Sequence, residues 1–460
     1  MVLSPVNRPF SKGRAPYEPL RLWERLGVIA LALMLVVFGY ITLHRSAYLE
    51  NRRTDADVYF RAAWALRTGQ DPYLVADTNG WTYLYPPPLA IASMPLAQTP
   101  PWGDGAEKKL PWSVTFPAAV LAWYALSATF LVLSLHWLAK ALESCSPHAN
   151  VRAPKFRTRR WWVNRVGPVL FCLPAIGSTL ARGQVNVLLL ACVCGACFLL
   201  SRGRWLSAGA AIAGAVCLKL FPAFLLLHAL LTRGWRTIAG CFIGCTALLA
   251  VLPVAVLGWP RAAAITRSFA DTMLLPALGL GGNDAKRDEL ARAFNNQSLL
   301  AILHNWRDWH EVTVEHVIRP NRTDKVLFAI IGASLVAATI AAARKAGLHK
   351  PGAPLRGLVL LMAILTALML ALSPVCHNHY FTLHLPLVAC LFALAQDRSR
   401  TIDMSPLVWL SLLGYFALGV LPRWPGLEEV LKPAGVQMVG GLGLTAVGLQ
   451  RLRHVPNCNN

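Results

Sequence analysis

A chain of 460 residues that is 55% hydrophobic and only 14% charged, with a mean hydropathy of +0.47, is built from long apolar runs and excludes a single soluble core. Its net charge of +22 reports membrane topology and anionic headgroups before nucleic acid, because the Lys and Arg residues cluster beside the apolar runs. The eleven cysteines define no disulfide framework and no redox compartment, since Cys172, Cys192, Cys194, Cys197, Cys217, Cys241, Cys245 and Cys390 fall inside apolar runs and behave there as small hydrophobes.

Residues 1–25 carry Arg8, Lys12, Arg14, Arg21 and Arg25 against Glu18 and Glu24, which predicts a cytoplasmic N-terminus. The run from Leu26 to Leu43 lacks a cleavage site and reads as a retained first helix over roughly residues 26–44. The interval 45–111 holds Glu50, Asp55, Asp57, Asp71, Asp77, Asp104 and Glu107, nearly a third of the 22 acids, and is expected outside the cytoplasm. Within it, Tyr59, Ala62, Ala63 and Leu66 have helical spacing, predicting a short interfacial helix from Val58 to Leu66 that Gly69 and Pro72 end. A second run, about 112–139, returns to a basic cytoplasmic segment with Arg152, Lys155, Arg157, Arg159, Arg160 and Arg165.

Two shorter stretches, 166–180 and 185–200, are separated by Arg182-Gly183-Gln184-Val185-Asn186. The next apolar stretch, 205–232, is interrupted by Lys219 and Pro222. Two short helices meeting there keep Arg202, Arg204, Arg233 and Arg236 on one side, whereas one continuous helix does not; the broken pair is preferred. Helix 237–257 leads to a second polar interval, 258–324, with Asp271, Asn295-Asn296-Gln297-Ser298 and a Trp/His-rich segment from Trp306 to His316. Runs near 325–343, 355–373, 380–396, 405–421 and 434–450 follow, with Arg398/Arg400 and Arg451/Arg453 among the basic clusters between them. The expectation is an all-α polytopic membrane protein of about 12 helices (11 to 13), one domain over 26–450 and a cytoplasmic tail over 451–460.

Few polar residues stand out as chemistry. Asp55 and Asp57 are either a source of a general base or solvated loop acids and helix-capping groups. Gln184 and Asn186, amides at membrane depth, need partners from protein or ligand. Lys219 cannot sit unpaired in lipid: it snorkels, pairs or meets a ligand, and a phosphate suits it beside the amides freed by Pro222. His377 and His379 in Ser373-Pro374-Val375-Cys376-His377-Asn378-His379-Tyr380 fit hydrogen bonding or phosphate contact, or interfacial capping, better than a metal, for no zinc-binding spacing surrounds them. The Cys192, Cys194, Cys197 cluster reads as packing. The sequons at Asn296 and Asn321 imply nothing without a eukaryotic secretory setting. There is no phosphate-cradling glycine loop, nucleophile elbow or nucleic-acid motif.

Taken in order, Thr54-Asp55-x-x-x-Tyr59-x-x-Ala62-Ala63, Gly69-x-Asp71-Pro72-Tyr73, Tyr83-x-Tyr85-Pro86-Pro87, Gly183-Gln184-x-Asn186, Lys219-x-x-Pro222, Asn296-Gln297-Ser298-Leu299 and Ser373-Pro374-x-x-x-x-His379 resemble the bacterial glycosyltransferase family 87, of the GT-C superfamily, over roughly residues 50–395. The resemblance implies a GT-C fold in a bacterial plasma membrane, with a first extracytoplasmic loop that carries the catalytic Asp. It implies an inverting transfer of a hexose or pentose, mannose first, from a polyprenyl-phosphate donor to a lipid or glycan acceptor, without a metal or other cofactor. Asp55 then serves as base, with Asp57 the alternative. Lys219 and His379 meet the phosphate, Gln184 and Asn186 bind phosphate or sugar hydroxyls, and Tyr59 and Tyr85 stack on a sugar. Asn296 is a secondary candidate. His377 stands where the family often has an aromatic residue, a departure that bears on donor or acceptor detail.

Two other functions fit a polytopic chain. A transporter or flippase of a lipid-linked or small polar substrate suits broken helices and a buried Lys, but it places acids within the apolar runs, where this chain has none. A lipid-linked glycan polymerase or ligase shares the topology and is expected to use a polyprenyl-diphosphate donor.

Overall fold

The computed structural model describes residues 19–49, 54–77, 79–99, 110, 112–145, 158–277, 296–309, 320–396 and 405–455. Most of the basic N-terminal segment, Glu50, Asp104, Glu107, Arg152, Lys155, Arg157, Asn295, the stretch 310–319, Arg398 and Arg400 lie outside the described residues. In chain order the principal helices are α1 (Leu22–Tyr48), α2 (Asp55–Thr68), α3 (Pro87–Ala92), α4 (Phe116–Ser144), α5 (Arg159–Ala181), α6 (Asn186–Ser201), α7 (Trp205–Leu218) and α8 (Phe221–Leu231). They continue with α9 (Trp235–Leu257), α10 (Trp259–Phe269), α11 (Leu299–Arg307), α12 (Arg322–Lys345), α13 (Leu355–Ala371), α14 (Asn378–Ala395), α15 (Pro406–Arg423) and α16 (Val436–Leu452).

The chain is a polytopic helical membrane protein. All twelve apolar runs form helix where described, and among the described residues α1, α4, α5, α9, α12, α14 and α15 are the helices long and apolar enough to cross a membrane. The shorter helices arise at three breaks with local causes. Between α5 and α6, Gly183 takes φ +64, a left-handed conformation open to glycine at little cost. Between α7 and α8, Lys219 is extended at φ −150 and ψ 144, and Pro222 denies the helix a backbone donor. Between α13 and α14, Pro374 sits in the non-helical link. Helix 205–232 is thus a broken pair, as preferred from the sequence.

The core is organised around α13, whose residues from Gly357 to Ala371 are buried on every side. Side chains of α4, α6, α7, α14 and α16 pack around it in one cluster. The outer helices do the opposite: Leu26, Leu33 and Val36 of α1, Phe242 and Val251 of α9, Ile330 of α12 and Leu410 of α15 are exposed. Such apolar faces need lipid, since water disfavours them. α7 and α9 approach closely through small residues. A Cβ on Gly209 would lie 2.0 Å from the Thr237 carbonyl, and one on Gly240 2.0 Å from that of Leu206, the packing of a Gly-x-x-x-Gly face at Gly240 and Gly244.

Two expectations are corrected. The helix read from Val58 to Leu66 begins at Asp55 and runs to Thr68, and Ala56 to Leu66 are buried against the rest of the protein. Thr54 explains the earlier start: its hydroxyl accepts from Ala56 N as an N-cap, and Asp55 and Asp57 complement the helix dipole in the first turn. Gly69, at φ 82, closes the other end. Second, Arg159, Arg160 and Arg165, read as part of the basic segment before the run 166–180, are already the opening of α5. Arg165 is buried and donates to Glu143 at 2.8 Å.

Candidate active site

The N-terminus of α2 is docked on the break between α5 and α6. Asp55 N and the Thr54 hydroxyl both donate to the Arg182 carbonyl, at 2.9 and 3.1 Å, and Trp123 Nε1 donates to the Gly183 carbonyl at 2.7 Å. A Cβ on Gly183 would lie 3.0 Å from that of Ala56, so the glycine also permits this approach.

The three breaks meet at one place. Lys219 Nζ donates to Asn186 Oδ1 at 2.8 Å. Asn186 Nδ2 donates to the His379 carbonyl at 3.2 Å, which also accepts from the Thr179 hydroxyl at 2.8 Å. The Lys219 ammonium lies 4.1 Å from the Tyr380 ring centre and 5.4 Å from that of Tyr85, close enough for cation–π attraction. The rings of His377, His379 and Tyr380 form a mutually contacting group, with His379 5.6 Å from His377 and 4.8 Å from Tyr380, and His377 5.9 Å from Tyr380. Lys219, Asn186 and His379 are buried, and Lys219 has no ion pair with a carboxylate among the described residues. Its charge is met by an amide oxygen and two aromatic faces, all formally neutral.

Asp55 faces this cation. Its half-buried carboxyl has a raised pKa because burial disfavours the ionised form, opposed by Arg182, by the Gln184 amide and by Lys219. Gln184 also reaches the Tyr85 hydroxyl. Tyr59 and Tyr85 join hydroxyl to hydroxyl at 3.3 Å with rings edge to face, and Tyr73 fixes Tyr85 by donating to its carbonyl at 2.9 Å. Two buried acceptors, Asp55 Oδ2 and Gln184 Oε1, have no hydrogen-bond partner among the described residues. Buried acceptors cost stability when unpaired, and both suit hydroxyl groups of an incoming molecule.

The structure therefore brings Asp55, Tyr59, Tyr85, Gln184, Asn186, Lys219 and His379 together, with His377 beside them. It does not bring in Asp57. Two residues along a helix turn roughly 200°, so Asp57 points away and pairs with Arg61 Nε at 2.9 Å. Asp71 and Asp77 cap turns through Tyr73 N, Asn79 N and Trp81 N. Asn296 lies one step out: its oxygen accepts from Cys376 N and Ser298 N, and its amide donates to the Pro374 carbonyl. It holds the link before His377. Sequence reasoning missed Arg182 and Tyr380 as members of the site. Arg182 had a signal, a cation in the same helix break as Gln184; Tyr380 had only its place beside His379.

Membrane-length helices around a buried cluster of Asp, Lys, His, amide and Tyr groups define a polytopic membrane protein with a polar site in its interior. The family model for glycosyltransferase family 87 matches residues 83–376, and the chain belongs to that family. It is a membrane glycosyltransferase, and the transporter alternative is set aside. The match includes Tyr85, Gln184, Asn186, Lys219 and Asn296, while Asp55 and Tyr59 lie before its start and His379 after its end. The chain is 27% identical over 453 residues, 95% of each chain, to a polyprenol-phosphate-mannose-dependent alpha-(1-2)-phosphatidylinositol mannoside mannosyltransferase of Mycobacterium tuberculosis. It is 31% identical over 255 residues, 53% of this chain and 52% of the other, to the protein of the same description from Mycolicibacterium smegmatis. Among solved structures, ArnT from Cupriavidus metallidurans, bound to undecaprenyl phosphate, aligns with 93% of this chain and 77% of its own at 13% identity and a TM-score of 0.41, a likeness too distant to place any residue.

Proposed function

We propose that the protein transfers mannose from a polyprenyl-phosphate donor to a lipid or glycan acceptor, inverting the anomeric centre, with Asp55 as general base. One observation carries this reading: a half-buried carboxyl with an unpaired oxygen faces a buried ammonium that has no carboxylate partner among the described residues. The polyprenol-phosphate-mannose dependence of the two mycobacterial relatives supports the donor class.

In the proposed step, Asp55 accepts the proton of the acceptor hydroxyl while that oxygen bonds to the anomeric carbon. The bond from that carbon to the phosphate oxygen breaks, and its electron pair leaves with polyprenyl phosphate. Lys219, with Arg182 and His379 nearby, stabilises the departing anion, and no metal ion is required. Gln184 and Asn186 hold hydroxyl or phosphate oxygens, and Tyr59 and Tyr85 flank the sugar. The chamber opens on the extracytoplasmic side, with both termini cytoplasmic in the bacterial plasma membrane, a topology supported by the basic clusters.

The test is transfer of label from polyprenyl-phosphate [14C]mannose to a mannosylated lipid by purified protein. Labelled product in the inverted anomeric form is expected. No product, or undiminished product from Asp55→Asn, overturns the reading.

A further inference from the structure

A second chamber lies at the other end of α5. A cleft of about 250 Å³ runs between α1, α4 and α5, walled by apolar side chains such as Leu31, Phe38, Leu135 and Ile176. At one end it reaches Leu180, close to the break at Arg182; at the other it meets Trp161, Trp162, His136 and Arg165. Arg165 and Arg182 are separated by most of α5, roughly 25 Å at about 1.5 Å per residue, so Arg165 sits across the membrane from Asp55.

Arg165 is 5% exposed. One nitrogen, Nη1, is used by Glu143 and the Trp161 carbonyl, at 2.8 and 3.0 Å. Nε and Nη2 have no hydrogen-bond partner among the described residues. Glu143 is shared with Lys140, 3.8 Å away, and Glu24 is taken by Arg159 at 2.6 Å. Two carboxylates therefore serve Lys140, Arg159 and Arg165, with Arg160 exposed beside them, which leaves a local excess of positive charge. Trp161 and Trp162, edge to face at 4.9 Å, are the side chains that favour the headgroup level of a bilayer.

We infer that this cleft binds an anionic membrane phospholipid, one alkyl chain between α1, α4 and α5 and the headgroup phosphate on the free guanidinium edge of Arg165. A neutral polyprenyl tail has no need of a cation at its far end; a phosphate does, and an arginine fork matches it in two hydrogen bonds. The narrow cleft takes a single chain, and the second chain stays in the bilayer.

The test is native mass spectrometry of the full chain in neutral detergent, titrated with phosphatidylglycerol, phosphatidylcholine, undecaprenyl phosphate or inorganic phosphate. One phosphatidylglycerol is expected to bind at least about tenfold more tightly than phosphatidylcholine, from charge-assisted hydrogen bonds. Arg165→Gln should remove that preference, and Leu135→Trp, which fills the cleft while leaving Arg165 in place, should weaken both lipids. A preference that survives Arg165→Gln overturns the proposal, as does phosphatidylglycerol binding unaffected by Leu135→Trp, the deciding result if the Arg165 variant does not fold. Undecaprenyl phosphate displacing phosphatidylglycerol equally from the wild type and Arg165→Gln would assign the cleft to the donor tail. Inorganic phosphate binding as tightly as phosphatidylglycerol would reduce it to an anion site.

Discussion

Lys219 Nζ and Asn186 Oδ1, 33 residues apart in sequence, meet at 2.8 Å and tie the break after α7 to the start of α6. The same amide reaches the third break through the His379 carbonyl. A cation held by a neutral acceptor keeps most of its field for a ligand, whereas one held by a carboxylate does not. Lys219→Met should therefore lower kcat/KM by about 10²–10³, the usual loss when one group that stabilises a developing anion is removed. Asn186→Asp should raise KM for the donor while the protein stays folded, because the new carboxylate competes with the donor phosphate for Lys219. Steady-state kinetics with a polyprenyl-phosphate sugar reads both.

On the proposed mechanism, the pH profile of transfer follows from Asp55. A base works only when ionised, and burial raises its pKa above the ordinary carboxylate value. Activity should fall as pH drops through this raised pKa, so the acid limb of kcat/KM lies above the usual carboxylate range. Gln184 lowers that pKa by favouring the charged form. Gln184→Leu removes the opposing effect and should move the limb to still higher pH. A limb that stays in place, or moves down, assigns the titration to another group.

Much of this was legible in the chain, for identifiable reasons. Lys219 and Pro222 announce a helix break because neither belongs inside a lipid-facing helix, and the twelve apolar runs are marked by basic clusters. What was hidden depends on direction rather than composition. Asp55 and Asp57 look alike in sequence, and only the helix start at Asp55, fixed by Thr54, sends one toward Lys219 and the other toward Arg61. Arg165 was read as one of a basic run because a cluster of Lys and Arg does not reveal which member the fold buries. Chain length was hard to read as well: the 16 residues of α6 and the 17 of α13 form largely apolar helices that are shorter than the seven membrane-length ones among the described residues.

Asp57 and Asp55 should separate cleanly in experiment. Asp57 and Arg61 are 0% and 3% exposed, and removing one member of a buried pair leaves the other charge uncompensated, at a cost of about 3–5 kcal/mol. Asp57→Asn should therefore lower the melting temperature while the folded fraction keeps its acid limb. Asp55→Asn should lose transfer by about 10²–10⁴, the range of general-base contributions, with little change in melting. Differential scanning fluorimetry beside the transfer assay distinguishes the two.

Asn296 should behave as a positioning residue for the imidazole side of the chamber. Its side chain makes three hydrogen bonds at 2.9 to 3.1 Å, two of them to Pro374 and Cys376 of the link between α13 and α14. Gln297 N reinforces that link by donating to the Cys376 carbonyl at 2.7 Å. Asn296→Ala leaves buried backbone groups unpaired, each costing about 1–3 kcal/mol, and frees the segment that aims His377, His379 and Tyr380. The expected outcome is a lower melting temperature together with a fall in kcat, since the groups facing the leaving phosphate lose their fixed geometry. Because Asn296 does not touch Asp55, the acid limb of the pH profile should stay where it is in the wild type. Asn296→Asp keeps the oxygen that accepts from Cys376 N and Ser298 N, so it should recover more stability than Ala while still losing the bond to Pro374. A shifted acid limb in Asn296→Ala would instead place this residue in contact with the base, and the positioning role would fall.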